Sequence, residues 1–108
     1  MGIPKDIEAR ITYLTAKEGG RSTPVFSGYR GQFHYGGNDW DAPQVFIDKE
    51  QVEPGESVRA YLGFLSPREH IGNIHVGMGF QVREGARIVG KGVVTKILEL
   101  EQSAKNVQ

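Results

Sequence analysis

The sequence predicts an all-β domain, a small six-stranded antiparallel barrel that closes on itself. Apolar and polar residues alternate along several short runs, and turn-forming residues separate these runs at short intervals. No long stretch has the apolar repeat of an amphipathic helix. Closure into a barrel is expected because it leaves so small a domain without an unpaired edge strand.

Three strands are marked by apolar residues at every second position, which places these residues on one face of a pleated strand. They are Ile7, Ala9, Ile11 and Tyr13 in the first strand, Val58, Ala60, Leu62 and Phe64 in the fourth, and Val76, Met78, Phe80 and Val82 in the fifth. Residues 31–35 and 45–47 predict two shorter strands between them. Residues 89–99 form the last β-rich run.

Turn residues join these strands. Pro54 presets the first central φ of a type II turn, and Gly55 supplies the positive φ of the second. Glycine accounts for 15 of the 108 residues, about twice its usual share of ~7%. This enrichment suits tight turns and the bends at barrel corners.

The length fits one domain, which we divide into an N-terminal extension (1–5), the barrel (6–100) and a flexible C-terminal tail (101–108). Lys plus Arg and Asp plus Glu each number 13, so no overall field attracts nucleic acid or membranes. Cysteine is absent, which excludes disulfides and thiolate metal sites. No apolar run approaches the roughly 20 residues that span a bilayer, and we expect a cytoplasmic protein.

One segment comes close to a phosphate-binding loop. Gly85 is followed by Gly90-Lys91-Gly92 at the spacing of that motif, but Gly92 stands where Ser or Thr would hold Mg²⁺. Val93 and Val94 favour continued β structure instead of a helix. We therefore expect a glycine-bent strand here and no nucleotide cofactor.

Histidines and carboxylates provide the remaining candidates for chemistry. His70 and His75, with Glu69 beside them, lack an identifiable third ligand, and solvated loop histidines explain them better than a metal site. His34 and Asp39 pair a base with a carboxylate, without a nucleophile at a defensible spacing. We expect no catalytic or metal-binding residues.

Two further features suggest binding. Arginines and tyrosines could form a basic, aromatic patch for RNA, with nearby glutamates partly cancelling its field; the residues are Arg10, Arg21, Arg30, Arg83, Arg87, Tyr29 and Tyr35. Trp40 is expected either as a lid over one end of the core or as an exposed anchor for a partner.

Several motifs in fixed order resemble one known family. They are Lys17-Glu18-Gly19-Gly20-Arg21 with Thr23-Pro24, Gly28-Tyr29-Arg30 with Gln32-Phe33, Pro54-Gly55, and Arg83-Glu84-Gly85-x-Arg87-x-Val89-Gly90-x-Gly92-Val93-Val94. Taken together they resemble the C-terminal β-barrel, the third domain, of bacterial elongation factor Tu, over about residues 7–98. The resemblance implies a six-stranded antiparallel barrel without chemistry of its own.

The resemblance also implies partners. The family domain contacts the T stem of aminoacyl-tRNA, packs on the GTPase domain and contacts the nucleotide exchange factor. By motif, Arg21, Gln32, Glu84 and Gly85 match positions that face the T stem. The chain departs from this pattern at three positions: Ser22 stands where the family has His, Gly31 where it has Pro, and Ser66 where a basic residue is common. Each lost cation removes a phosphate contact, which implies weak tRNA binding.

The function expected from the sequence is therefore a non-catalytic binding module for a protein or translation component. The polar contacts are assigned to Arg21, Arg30, Gln32, Glu84 and Gly85. The apolar contacts are assigned to Phe26, Tyr29 and Trp40. The alternative is a weak RNA-binding domain for the T stem and acceptor arm of tRNA, and the oligomeric state is left open.

Overall fold

The computed structural model describes residues 3–106. This part of the chain forms nine strands, two 3₁₀ turns and one helix. The strands are β1 (Ile7–Tyr13), β2 (Val25–Phe26), β3 (Gln32–Tyr35), β4 (Asn38–Asp41), β5 (Gln44–Phe46), β6 (Gln51–Val52), β7 (Ser57–Leu62), β8 (Gly79–Glu84) and β9 (Arg87–Ile97). The 3₁₀ turns are Ala16–Glu18 and Pro67–His70, and the helix α1 is Leu100–Asn106.

Seven strands form one antiparallel sheet in the order β4-β3-β8-β9-β1-β7-β5, and β2 pairs with β6 in a separate ribbon. The two edge strands, β4 and β5, follow one another in the chain, and only Ala42 and Pro43 separate them. This short connection curls the sheet into a half-barrel. The all-β class is confirmed, but the predicted closed six-stranded barrel is not. Because Pro43 lacks an N–H for a ladder hydrogen bond, the chain around it forms two short edge strands.

The core lies on the concave side of the sheet. The inward residues predicted for β1 and β7 are buried, as are Phe80 and Val82 of β8. Val76 is 59% exposed, however, so its assignment to the core is wrong. The strand begins only at Gly79, after Gly77 adopts a φ of 91°, and the alternation therefore does not extend back to Val76.

The short strand predicted at residues 45–47 is present as β5, one residue earlier in the chain. Gln44 and Phe46 are buried, whereas Val45 and Ile47 are half-buried. A buried glutamine is tolerated here because the Tyr13 hydroxyl donates a hydrogen bond of 2.6 Å to its side-chain oxygen. Burial of Phe46 and this polar pairing together decide the register.

His70 is a core residue, not the solvated loop histidine that the sequence predicts. It is fully buried, its Nδ1 lies 2.6 Å from the Tyr35 hydroxyl, and its ring is 4.1 Å from that of Phe64 and 4.7 Å from that of Trp40. We call His70, Tyr35, Phe64 and Trp40 the aromatic box. Burial lowers the pKa of His70 to about 4, so the ring is neutral at physiological pH. His75 is exposed, as predicted.

The C-terminal residues, for which the sequence predicts a flexible tail, contain regular secondary structure. Up to Asn106 they form α1, whose Leu100 and Ala104 are buried one turn apart. The Ser103 hydroxyl bonds to the buried carboxylate of Asp6, which also accepts a hydrogen bond of 2.8 Å from the Phe64 amide. The sequence does not predict this helix, because the segment is mostly polar and only two apolar residues have helical spacing. Residues 107–108 of the predicted tail and 1–2 of the predicted extension lie outside the described residues.

The contact between Gly92 and Phe80 leads to a first prediction. A Cβ on Gly92 would lie 2.3 Å from the Phe80 ring, whereas a Cβ on Gly79 would meet nothing closer than 3.8 Å. Gly92→Ala should therefore displace a core ring and lower the free energy of unfolding by about 1–3 kcal/mol. Gly79→Ala, on the neighbouring strand, is the matched control and should cost less. Urea denaturation measures both, and equal midpoints for the two variants would contradict this packing.

His70 leads to a prediction of pH dependence. Its pKa is lowered from 6.5 to about 4 in the folded state, so the unfolded chain binds a proton that the folded chain excludes. Stability should therefore be full above pH 6.5 and fall by roughly 3 kcal/mol as the pH drops toward 4.

The matched variants are His70→Gln and His75→Gln. The first should flatten the fall in urea midpoint over this pH range, because glutamine does not titrate there. The second should leave the fall unchanged, because His75 is exposed. Identical pH profiles for the native chain and His70→Gln would show that the buried imidazole does not control acid stability.

Candidate functional site

Arg21, Tyr29 and Glu84 come together from three separate segments of the chain. A terminal nitrogen of Arg21 (Nη1) forms an ion pair with Oε2 of Glu84, and the Tyr29 hydroxyl donates a hydrogen bond to the same oxygen. The guanidinium also lies 5.5 Å from the centre of the Tyr29 ring, within cation–π range. We call these three residues the Arg21–Tyr29–Glu84 cluster.

Local structure positions each member of the cluster. Arg21 follows the 3₁₀ turn Ala16–Glu18, which Thr15 and Glu18 cap reciprocally and which Gly19 ends with a φ of 93°. Tyr29 closes a β-turn in which its amide donates to the Phe26 carbonyl at 3.1 Å. Glu84 ends β8, directly before the hairpin to β9.

Gly31 explains how the Tyr29 ring reaches the cluster. A Cβ at residue 31 would lie 2.4 Å from that ring, closer than real Cβ contacts allow. Gly31 is one of the positions at which the sequence departs from the resembled family, which has proline there. In this fold a larger residue at 31 would push Tyr29 away from Arg21 and Glu84, so the departure has a structural reason.

The charges within the cluster stabilise one another. Burial raises the pKa of Glu84, but the hydrogen bonds from Tyr29 and Arg21 outweigh it and leave the pKa below its ordinary value. Burial lowers the pKa of Arg21, and the pairing with Glu84 more than reverses this. Burial, with the neighbouring Glu84, raises the pKa of Tyr29. The cluster therefore holds one cation, one anion and a neutral phenol at pH 7.

The guanidinium of Arg21 has further fixed partners. Its Nη2 donates to the Thr23 hydroxyl at 3.0 Å and to the Pro24 carbonyl at 3.4 Å. The side chains of Arg21 and Glu84 are 25% and 32% exposed. Sequence reasoning did not identify Thr23 as a supporting residue or Glu84 as the partner of Arg21, since the two charges are far apart in the chain.

Other predicted site residues lie beside the cluster. Phe26 is 58% exposed at the opposite end of the β-turn from Tyr29, and Arg30 is exposed directly after that turn. Gly85 is exposed in the hairpin next to Glu84, with a φ of 62° that L residues rarely adopt. We call this surface the turn–hairpin face; it comprises Arg21, Phe26, Tyr29, Arg30, Glu84 and Gly85.

Two predicted residues have different surroundings. Gln32 pairs with Arg83 across β3 and β8, and its side-chain oxygen is buried without a hydrogen-bond partner among the described residues. Trp40 is half-buried in the aromatic box, where its ring meets His70 edge to face. Trp40 is therefore assigned to the core and not to the turn–hairpin face.

Of the residues considered for catalysis, His34 and Asp39 lie next to each other. His34 Nδ1 lies 2.7 Å from a carboxylate oxygen of Asp39, across the β3–β4 pair. Within residues 3–106, no hydroxyl side chain hydrogen-bonds to His34, and no group of three or more His, Asp or Glu residues could hold a metal ion. Gly90 and Gly92 lie within β9, as the prediction of a glycine-bent strand requires.

None of the helices within residues 3–106 is long and apolar enough to cross a bilayer.

Comparison with known protein families agrees with the motif order. The family described as the elongation factor Tu C-terminal domain matches residues 3–98, which include the whole curled sheet and the turn–hairpin face. The helix α1 lies beyond the matched region. The match covers nearly the whole chain, and the chain therefore belongs to the elongation factor Tu C-terminal domain family.

Proposed function

We propose that this chain is a non-catalytic binding module that contacts a protein of the translation apparatus through its turn–hairpin face. The observation that carries the proposal is the Arg21–Tyr29–Glu84 cluster, which holds polar side chains from three segments at the surface in one arrangement. Membership of a translation factor domain family supports a partner from the translation apparatus.

The cluster has the properties of a preorganised contact. Its side chains are already ordered by one another, so binding would cost less conformational entropy than ordering free arginine and tyrosine side chains. Tyrosine and arginine are also the residue types most enriched at interface hot spots. Phe26, exposed at the end of the same turn, supplies an apolar group that a partner can bury.

Charge favours a protein over a nucleic acid on this face. Glu84 neutralises Arg21 inside the cluster, which leaves Arg30 as the remaining cation of the turn–hairpin face and reduces the attraction for phosphate. Candidate partners from the family resemblance are a GTPase domain and a nucleotide exchange factor. Such a role places the chain in the cytoplasm, where translation proceeds.

A second candidate function is weak binding of the T stem and acceptor arm of tRNA. It is favoured by the proximity of Arg21, Glu84 and Gly85. Gln32 lies close to them in the sheet, because it pairs with Arg83, the residue before Glu84. These are the four positions that the resemblance assigns to tRNA. The affinity expected is high micromolar to millimolar, in the range of non-specific binding.

The first test uses Phe26. Phe26→Ser should weaken binding to a purified GTPase domain of elongation factor Tu, or to its exchange factor, by on the order of tenfold, because it removes an exposed apolar anchor. Val76→Ser is the matched control, since Val76 is 59% exposed and Phe26 58%. Isothermal titration with each partner in turn measures the effect.

The proposal requires that only Phe26→Ser loses affinity while both variants keep the native unfolding midpoint. If neither partner binds the native chain, or if both variants bind as it does, the turn–hairpin face is not the docking surface.

The second test uses labelled tRNA at about 50 mM and about 200 mM salt. Under the second candidate function, Arg21→Gln should weaken binding and reduce its salt dependence, because one phosphate contact is lost. Lys105→Gln, on α1, is the control for the loss of one positive charge. Equal affinities for the two variants would remove tRNA recognition by Arg21.

A further inference from the structure

The outer side of the sheet carries a group of cations away from the turn–hairpin face. Along β1 the residues Ala9 and Ile11 point into the core, so Arg10 between them points outward and is exposed. Arg59 occupies the same position on β7, between the buried Val58 and Ala60. The antiparallel register places Arg10 directly opposite Arg59.

Neighbouring strands extend this group. Lys91 of β9 is exposed opposite Thr12, two residues along β1 from Arg10. Lys49, from the chain between β5 and β6, reaches over β7, where its ammonium donates to the Ser57 carbonyl at 3.1 Å. We call Arg10, Lys49, Arg59 and Lys91 the basic sheet face.

Internal carboxylates compensate only part of this charge. The Nε of Arg59 lies 3.7 Å from the carboxylate of Glu8, which Lys96 also approaches at 4.0 Å. Within residues 3–106, Arg10, Lys49 and Lys91 have no carboxylate oxygen within 4.0 Å. Like charges directly opposite each other destabilise a strand pair, so the fold keeps Arg10 and Arg59 at a cost.

A small pocket lies between these cations. Its volume is about 140 Å³, and it is lined by Arg10, Asp48, Lys49, Ser57, Val58 and Arg59. Three cations face one carboxylate, and the only apolar lining residue, Val58, is itself buried. The hydroxyl of Ser57, hydrogen-bonded to Thr12 at 2.7 Å, adds a polar group beside the pocket.

We propose that the basic sheet face binds the phosphodiester backbone of a nucleic acid, with one phosphate group in this pocket. Guanidinium forks pair with phosphate oxygens in a bidentate manner, and two of them converge here. Adjacent strands are about 4.8 Å apart, so the cations cover a band that closely spaced phosphates can follow.

The same observations disfavour an acidic protein as the occupant. A protein partner usually buries apolar or aromatic anchors in the centre of its interface. The centre of this surface is a polar pocket, and the exposed apolar side chain beside it is that of Val93, opposite Arg10 on β9. Contacts to phosphate alone carry no sequence information. RNA and DNA duplexes should therefore bind alike, without preference for base sequence.

This proposal is independent of the turn–hairpin face. Val93, the β9 partner of Arg10, lies six residues from Arg87 at the hairpin end of β9, or roughly 20 Å along an extended strand. Phe26→Ser should therefore leave duplex binding unchanged, so each of the two proposals can fail without the other.

The test compares two double variants of equal charge by fluorescence anisotropy with short labelled RNA and DNA duplexes. Arg10→Gln/Arg59→Gln should weaken binding of both duplexes by on the order of tenfold, and should reduce the log–log salt slope by about two between about 50 and about 200 mM salt. Lys17→Gln/Lys105→Gln should bind almost as the native chain does.

Stability provides a second readout that excludes misfolding. The substitution relieves repulsion between Arg10 and Arg59 but also removes the ion pair of Arg59 with the buried Glu8 carboxylate, where Lys96 remains at 4.0 Å. Arg10→Gln/Arg59→Gln should therefore unfold close to the native temperature while binding less. An equal loss in both double variants would mean that only net charge matters, and absence of salt-sensitive binding would overturn the proposal. Arg10-dependent binding of polyglutamate without duplex binding would instead make this face a protein-docking surface.

Discussion

The pairing of β1 with β9 on one side and with β7 on the other is the interaction on which the rest of the structure depends. β1 pairs with β9 along its whole length and with β7 from Ile7 to Thr12, and its inward residues Ile7, Ala9 and Ile11 are completely buried. Because β9 continues from β8 through a tight hairpin, this ladder also decides where Glu84 lies. The chain leaving β1 brings Arg21 to the same end of the sheet, where the two charges meet.

Buried polar groups in this domain join segments that are distant in the chain. Tyr13 bonds to Gln44, Asp6 bonds to the Phe64 amide and to Ser103, and His70 bonds to Tyr35. Each contact satisfies a group that would be costly to bury alone. They secure β5, α1 and the Pro67–His70 turn against the sheet, where the apolar alternation is weak or absent. The same contacts are the ones that strand periodicity does not reveal.

The neutral net charge of the sequence conceals two surfaces of different electrostatic character. On the turn–hairpin face a cation and an anion neutralise each other and form a rigid polar arrangement. On the basic sheet face Arg10 stands opposite Arg59, and the carboxylate that pairs with Arg59, that of Glu8, is shared with Lys96. A sum over the sequence cannot separate these cases, because the spatial pairing of charges determines the local field and composition does not.

The alternation of apolar and polar residues was sufficient to predict the all-β class and the buried faces of β1 and β7, because a strand places alternate residues on opposite sides. The motif order was sufficient to indicate the family, which residues 3–98 match. Tertiary contacts decided what the alternation left open. They determine the burial of His70 and the inward orientation of Gln44 and Phe46. They also determine the two edge strands on either side of Ala42 and Pro43, and the helix Leu100–Asn106. They also decided that Arg21 is bound by Glu84 while Arg10 faces Arg59. The physical reason is that the energy of a buried polar group or a charge depends on its partner, and here those partners are 31 to 97 positions away in the chain.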